Sequence, residues 1–150
     1  MLIKKTTVVL DTNALLLFGT EHVDVFSEIG GAVLEPHEIV IPEPVLKELE
    51  KLGQKNSRDA WAAKLAYSLV HEKLKMQREP LIAKLLFPQK EIPLKTVPSS
   101  KQHADDAILA IAEDDPAHAV VVTLDRGLQG RLLAKKVRVI GLKQRRLAFV

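Results

Sequence analysis

The sequence predicts an α/β fold, a mainly parallel sheet covered on both faces by helices, and two stretches carry that prediction. "TTVVLDTNALLLF", Thr6 to Phe18, runs from β-branched and aliphatic residues through a lone acid, Asp11, into an apolar helical segment. "VVVTLDRGLQGRLL", Val120 to Leu133, repeats the arrangement around Asp125. Strands that alternate with helices in this way run parallel, and ligands of such sheets gather outside the carboxyl ends of the strands. Both acids stand at such ends.

Thr6 to Leu10 is the first buried strand, and the helix from Ala14 breaks near Gly19 and resumes around Asp24 to Ile29. In "EIVIPEPVLKELEKLG" the second strand is Ile39 to Ile41. Pro42 and Pro44 then suit a first helical turn through their fixed φ, and Gly53 supplies the stop. Val45, Leu49 and Leu52 form one stripe of that helix. "NSRDAWAAKLAYSLVHEKLK" is a long helix entered through Asn56 or Ser57, with Trp61, Leu65, Leu69 and Lys73 spaced by four and expected to face the sheet. From Met76 to His103 four prolines weaken the periodicity, leaving a short helix at Leu81 to Phe87 and a short strand at Leu94 to Val97. "ADDAILAIAEDDPAH" is the next helix, followed by the strand Ala119 to Leu124, a helix to about Ala134 and a final strand Val137 to Ile140.

A chain of 150 residues fits a single domain spanning residues 1–150, long enough to bury roughly two thirds of its unfolded surface. No apolar run approaches the roughly 20 residues that span a bilayer, and the start "MLIKKTTVVLD" lacks the long apolar region of a signal peptide, so a cytoplasmic protein is expected. The absence of cysteine excludes disulfides and thiolate metal sites. Charge is divided unevenly: Lys and Arg against Asp and Glu number 9 to 11 in residues 1–75 and 13 to 8 in residues 76–150. From Arg126 onward there are eight bases and no acid, a balance that suits a polyanion as readily as a solvated surface. Aromatic residues make up 4%, too few for a stacking platform, so any contact with RNA would be chiefly electrostatic.

Asp11 and Asp125 close strands, Glu48 flanks the apolar stripe of its helix, and Asp105 and Asp106 open a helix otherwise built for burial. Singly, each has a structural explanation as an N-cap, a turn residue or a partner of the helix dipole. Jointly they converge on one sheet edge, where like charges repel unless a cation intervenes. Carboxylates without Cys or convergent His suit a hard ion, Mg²⁺ or Mn²⁺. The five histidines show no ligand spacing.

"VVLDTN", "IPEPVLKELEKL", "ADDAILAIA" and "VVVTLDRGLQGRL" resemble, in order, the four motifs of the PIN domain, a family of metal-dependent ribonucleases. The doubled acid and the closing "TLDRGLQGRL" are most similar to the group found in ribosome processing and RNA quality control. The resemblance runs from Thr6 to about Leu142 and implies a three-layer α/β/α sandwich around a twisted, mainly parallel sheet of four to five strands. It places the catalytic and metal-holding acids at Asp11, Glu48, Asp106 and Asp125. Asn13, Thr123 and Asp105 take supporting positions. It also implies one or two Mg²⁺ or Mn²⁺ ions and RNA products with a 5′-phosphate and a 3′-hydroxyl. Arg126, beside Asp125, and the basic Lys143, Arg145 and Arg146 are the residues expected to meet phosphates. The stretch from Met76 to His103 is longer than a minimal member needs.

A receiver domain also gathers acids at a parallel sheet edge, but it wants adjacent acids after its first strand and "VVLDTN" supplies one. Two other readings stay open: an assembly module that binds RNA or protein without cutting, and the toxin of a toxin–antitoxin pair. The partners to expect are therefore RNA, a second copy of the chain, a ribosome-assembly partner or an antitoxin, and no membrane.

Overall fold

Val8, Val9 and Leu10 lose all contact with solvent, as residues of a strand flanked on both sides and covered on both faces must. They belong to β1 (Thr6–Leu10), which pairs in parallel with β2 (His37–Pro42) on one side and with β4 (Ala119–Val122) on the other. β3 (Leu94–Val97) extends the sheet beyond β2, and β5 (Arg138–Lys143) lies parallel to β4. A sixth strand, β6 (Arg146–Phe149), runs antiparallel to β5, so the order is β3-β2-β1-β4-β5-β6. This computed structural model describes residues 4–78, 85 and 92–150, and the helix expected over Leu81 to Phe87 lies outside the described residues save for Leu85.

Between β1 and β2 come the short α1 (Thr12–Leu15) and α2 (Leu17–Thr20), then α3 (Val25–Ala32), whose N-cap Asp24 accepts a hydrogen bond from the Ser27 amide. α4 (Glu43–Gln54) carries Pro44 in its first turn, and α5 (Ala60–Arg78) follows it. α6 (Ala104–Asp114), with a 3₁₀ turn at Pro116–His118, leads into β4, and α7 (Arg126–Ala134) joins β4 to β5. From β1 the chain steps outward through β2 to β3, then crosses back to β4 and steps outward the other way. α6 packs on β1, β2 and β4 and also touches α4, while α5 packs against α2 and α4 and reaches β3. The order reverses between β1 and β4, the kind of switch point at whose carboxyl ends such sheets bind their ligands.

The structure departs from the sequence reading in two places. The final strand is the first arm of a hairpin, because Gln144 and Arg145 both take positive φ (50° and 63°) and turn the chain back within two residues. Turns of that kind favour Asn-Gly, and a Gln-Arg pair gives no such signal. In α5 the buried residues are Ala60, Ala62, Ala63, Ala66 and Val70, while Trp61 keeps 61% of its surface exposed. The alanines let α5 approach α2 closely. A Cβ placed on Gly19 would stand 2.7 Å from the Cβ of Ala62.

Each edge strand is met by one polar side chain. Ile39 donates its amide to the Pro93 carbonyl, which leaves both main-chain groups of Leu94 facing away from β2. The Gln77 amide takes both: its Oε1 accepts from Leu94 N at 2.7 Å and its Nε2 donates to Leu94 O at 3.1 Å. On β6 the Leu147 amide, on the side away from β5, donates to Glu28 Oε1 at 3.4 Å.

Candidate active site

Asp11 leaves β1 at its carboxyl end and is 4% exposed, which is deep for a carboxylate. Its own amide donates to the Val122 carbonyl at 3.0 Å, fixing it beside the end of β4. Both carboxylate oxygens are held: Oδ1 accepts from Thr12 N at 2.8 Å, and Oδ2 accepts from the hydroxyl of the wholly buried Thr123 at 2.7 Å. Burial pushes the Asp11 carboxyl above the usual carboxylate range. The two hydrogen bonds act against that rise, and the charges of Asp105 and Glu48 add to it.

Glu48, on the surface of α4, is tied to this centre by the Thr12 hydroxyl, which donates to its Oε2 at 2.9 Å. Asp125 is exposed and caps α7, with Oδ1 accepting from Leu128 N at 3.1 Å, while its amide donates to Thr123 Oγ1 at 3.1 Å. Thr123 thus joins the acids of β1 and β4 through one oxygen. The Asn13 side chain accepts from Leu124 N at 3.0 Å and so pins the backbone after β4; its partner is main chain, not a carboxylate. Of the doubled acid, Asp105 is half-buried and is the one whose charge acts on Asp11, whereas Asp106 is exposed. The helical phase explains the difference. Asp105 precedes Ile108 and Leu109 by three and four residues, which sets it on their buried side of α6.

Among the described residues, no three Asp, Glu or His side chains are grouped tightly enough to enclose one ion. Mg²⁺ commonly takes one or two carboxylates and keeps several waters. An all-oxygen set of mutually repelling acids with a buried member therefore fits a hydrated hard cation in its donor chemistry, and does not form a closed cage.

The sequence profile of the PIN-like domain family matches residues 8–85 and 89–145. The chain belongs to that family. Among solved structures, this PIN-like domain is similar to the PIN domain endonuclease Utp24, with a TM-score of 0.65 and 20% identity over 95% of this chain and 90% of that one. It is also similar to a domain of a functionally unknown protein from Methanocaldococcus jannaschii, with a TM-score of 0.52 and 15% identity over 92% and 91%. At these identities the likeness is one of fold. No curated protein matches the chain.

Of the basic residues from Arg126 onward, four are paired with acids and two share a cleft. Arg145 and Arg146 lie 3.7 and 3.6 Å from Glu21 and Glu28, and Lys135 and Arg138 pair with Glu113 and Glu35. Arg126 and Lys143 instead line a common cleft beside α7. Sequence reasoning passed over Thr12 and Gln129. Thr12 tethers Glu48, and the Gln129 amide donates to the Thr123 carbonyl at 2.7 Å. Their signal is positional: Thr12 follows the first acid, and Gln129 lies one helical turn beyond Asp125.

Proposed function

We propose that this PIN-like domain is a cytoplasmic, metal-dependent endoribonuclease that hydrolyses RNA phosphodiester bonds in rRNA processing or RNA turnover. The observation that carries the reading is Asp11, a buried carboxylate held on both oxygens and pressed by two further acids at the switch point of the sheet. Asp11, Asp105 or Asp106, and Asp125 would hold the Mg²⁺ or Mn²⁺, directly or through water, with Glu48 beside them. Bound there, a divalent cation would supply a polarised phosphate oxygen and an acidified water.

The remaining work belongs to the chain's own groups. Glu48 Oε2 is occupied by the Thr12 hydroxyl, so Oε1 is the atom free to orient the attacking water and take its proton. Asp125 Oδ1 is committed to capping α7, which leaves Oδ2 for the ion side. Thr123 fixes the Asp11 carboxylate, as partners of metal-binding groups do. Arg126, Lys143, Arg145 and Arg146 meet phosphates; exposed pairs such as those of Arg145 and Arg146 are worth about 0–1 kcal/mol and exchange readily for RNA. The products carry a 5′-phosphate and a 3′-hydroxyl.

Incubating structured and single-stranded RNA with the protein in Mn²⁺, in Mg²⁺ and in chelator tests the reading. Cleavage that needs the metal and leaves 5′-phosphate ends is the expected result. The open arrangement of the acids favours one rival, a module that binds RNA or protein without cutting; RNA binding with no cleavage in either metal would establish that rival. Thr123→Val tests the shared hydroxyl. It keeps the shape of the side chain, removes the bond to Asp11 and leaves the Asp125 amide without its acceptor. Cleavage is expected to fall by about 10–100-fold and stability by roughly 1–3 kcal/mol, read from a metal-dependent assay and a denaturant melt.

A further inference from the structure

We propose that the cleft between α7 and β5 is a nucleotide subsite. It takes one nucleotide of the RNA flanking the scissile bond, with the phosphate on Arg126 and Lys143 and the sugar and base along Gly130 and Leu142. The inference rests on the ribonuclease reading for its position next to the bond that is cut. The cleft has a volume of about 650 Å³, within the range of small-molecule sites. Leu124, Leu133 and Leu142 give it aliphatic walls, and none of its lining residues is acidic. A site for a bare anion would not need those walls, and a site for an apolar ligand would not need two cations.

Charge marks this cleft. Among the described residues, four of the eight bases from Arg126 onward have a carboxylate within ion-pair distance; Arg126, Arg131, Lys136 and Lys143 have none, and of these four Arg126 and Lys143 share this cleft. Two of the lining residues are glycines. A Cβ on buried Gly141 would stand 2.9 Å from Gln129 Nε2 and 3.1 Å from Val150 Cγ2, so Gly141 lets those side chains settle against the strand. A Cβ on Gly130 would meet nothing within 4 Å and would project into open space on the cleft side of α7. A glycine inside a helix is unfavourable to stability, and here its bare backbone leaves the wall of the cleft open.

The cleft adjoins the segment that carries Asp125, since Leu124 and Arg126 on either side of it line the cleft. Arg126 directly follows Asp125, and Gln129, another lining residue, donates to the carbonyl of the same Thr123 whose hydroxyl holds Asp11. A strand of RNA with one phosphate at the acids would set its next residue over α7. No aromatic side chain lines the cleft, so the base would pack on aliphatic carbon and its identity would matter little.

The test uses Gly130→Leu, Lys143→Gln and, as a charge-matched control on α5, Lys75→Gln. Affinity for a short single-stranded RNA is measured in chelator across a salt series, and KM, kcat and melting temperature in Mn²⁺. Gly130→Leu is expected to melt higher than the parent, because leucine favours a helix, yet to bind RNA roughly tenfold or more weakly. Its KM should rise with kcat little changed. Lys143→Gln is expected to reduce the slope of log affinity against log salt by about 0.7, the loss of one phosphate contact on a single strand. The control should match the parent. If the parent cleaves RNA and both cleft variants bind it as the parent does, the subsite is refuted while the ribonuclease reading stands. If the parent binds RNA but never cuts, the ribonuclease reading fails, and the affinities of the two variants still decide the cleft. A parent that binds no RNA overturns both.

Discussion

Asp11→Asn is expected to lose at least about a hundredfold of metal-dependent RNA cleavage, since even the partners of metal-binding groups are worth about 10–100-fold. The substitution keeps the volume of the side chain. It removes a charge that burial and the neighbouring Asp105 and Glu48 already disfavour. In chelator the variant should therefore melt no lower than the parent. The sign of the pH dependence follows from the raised pKa of Asp11. Its neutral form is the one the fold prefers, so the stability it contributes is present at low pH and is lost as pH rises through the folded pKa. The variant should gain on the parent over that interval. Thermal melts across pH in chelator, beside an activity assay of the same preparations, check both halves. A variant that cuts as fast as the parent would remove Asp11 from the chemistry.

Gly19→Ala is expected to destabilise the fold with no direct effect on the site. The added methyl carbon would stand 2.7 Å from Ala62 Cβ, 2.8 Å from Ala62 Cα and 3.0 Å from a ring carbon of Trp61. Trp61 can swing into solvent, but the Ala62 backbone cannot, so α2 and α5 must separate. Overpacking of this kind costs about 1–3 kcal/mol. At roughly 2–4 °C per kcal/mol for a chain of this size, the melting temperature should drop by about 2–12 °C. Gly31→Ala is the matched control. A Cβ at Gly31, also helical, would meet nothing within 4 Å, so that substitution should leave the protein as stable as before or raise it by about 0.5–1 kcal/mol.

The parts of the fold legible in the sequence were those where burial and chain reversal leave a local mark. β1 and β4 announce themselves because an unbroken apolar run ends in an acid, and their parallel pairing then brings Asp11 and Asp125 to one edge. Pro42 and Pro44 mark the start of α4 for the same kind of reason, a fixed φ at a helix entrance. β6 escaped because its turn lacks the residues that positive φ ordinarily selects. On α5 the large apolar residues at intervals of four suggest one inner face, whereas close helix contact selects the small alanines of another. At the site, residue type pointed to the carboxylates, but which of Asp105 and Asp106 faces Asp11 depends on helical phase. The tethers made by Thr12 and Gln129 depend on neighbours distant in the chain or on main-chain groups, and neither leaves a compositional trace.

The side chains of Gln77 and Glu28 have a consequence for how this molecule meets others. An open sheet edge is a template, and any extended peptide with free amides can dock on it, including one from a misfolded copy of the same chain. Each edge strand here has four residues, and a helix side chain already satisfies one of its outward-facing positions, Leu94 on β3 and Leu147 on β6. A recruited strand would first have to evict an amide from one end or a carboxylate from the other. Recognition by strand addition is thereby disfavoured at both ends of the sheet, and a protein companion is steered toward helix faces and clefts. The same two side chains act as guards against fibrillar growth, at a cost of two polar groups and no extra secondary structure.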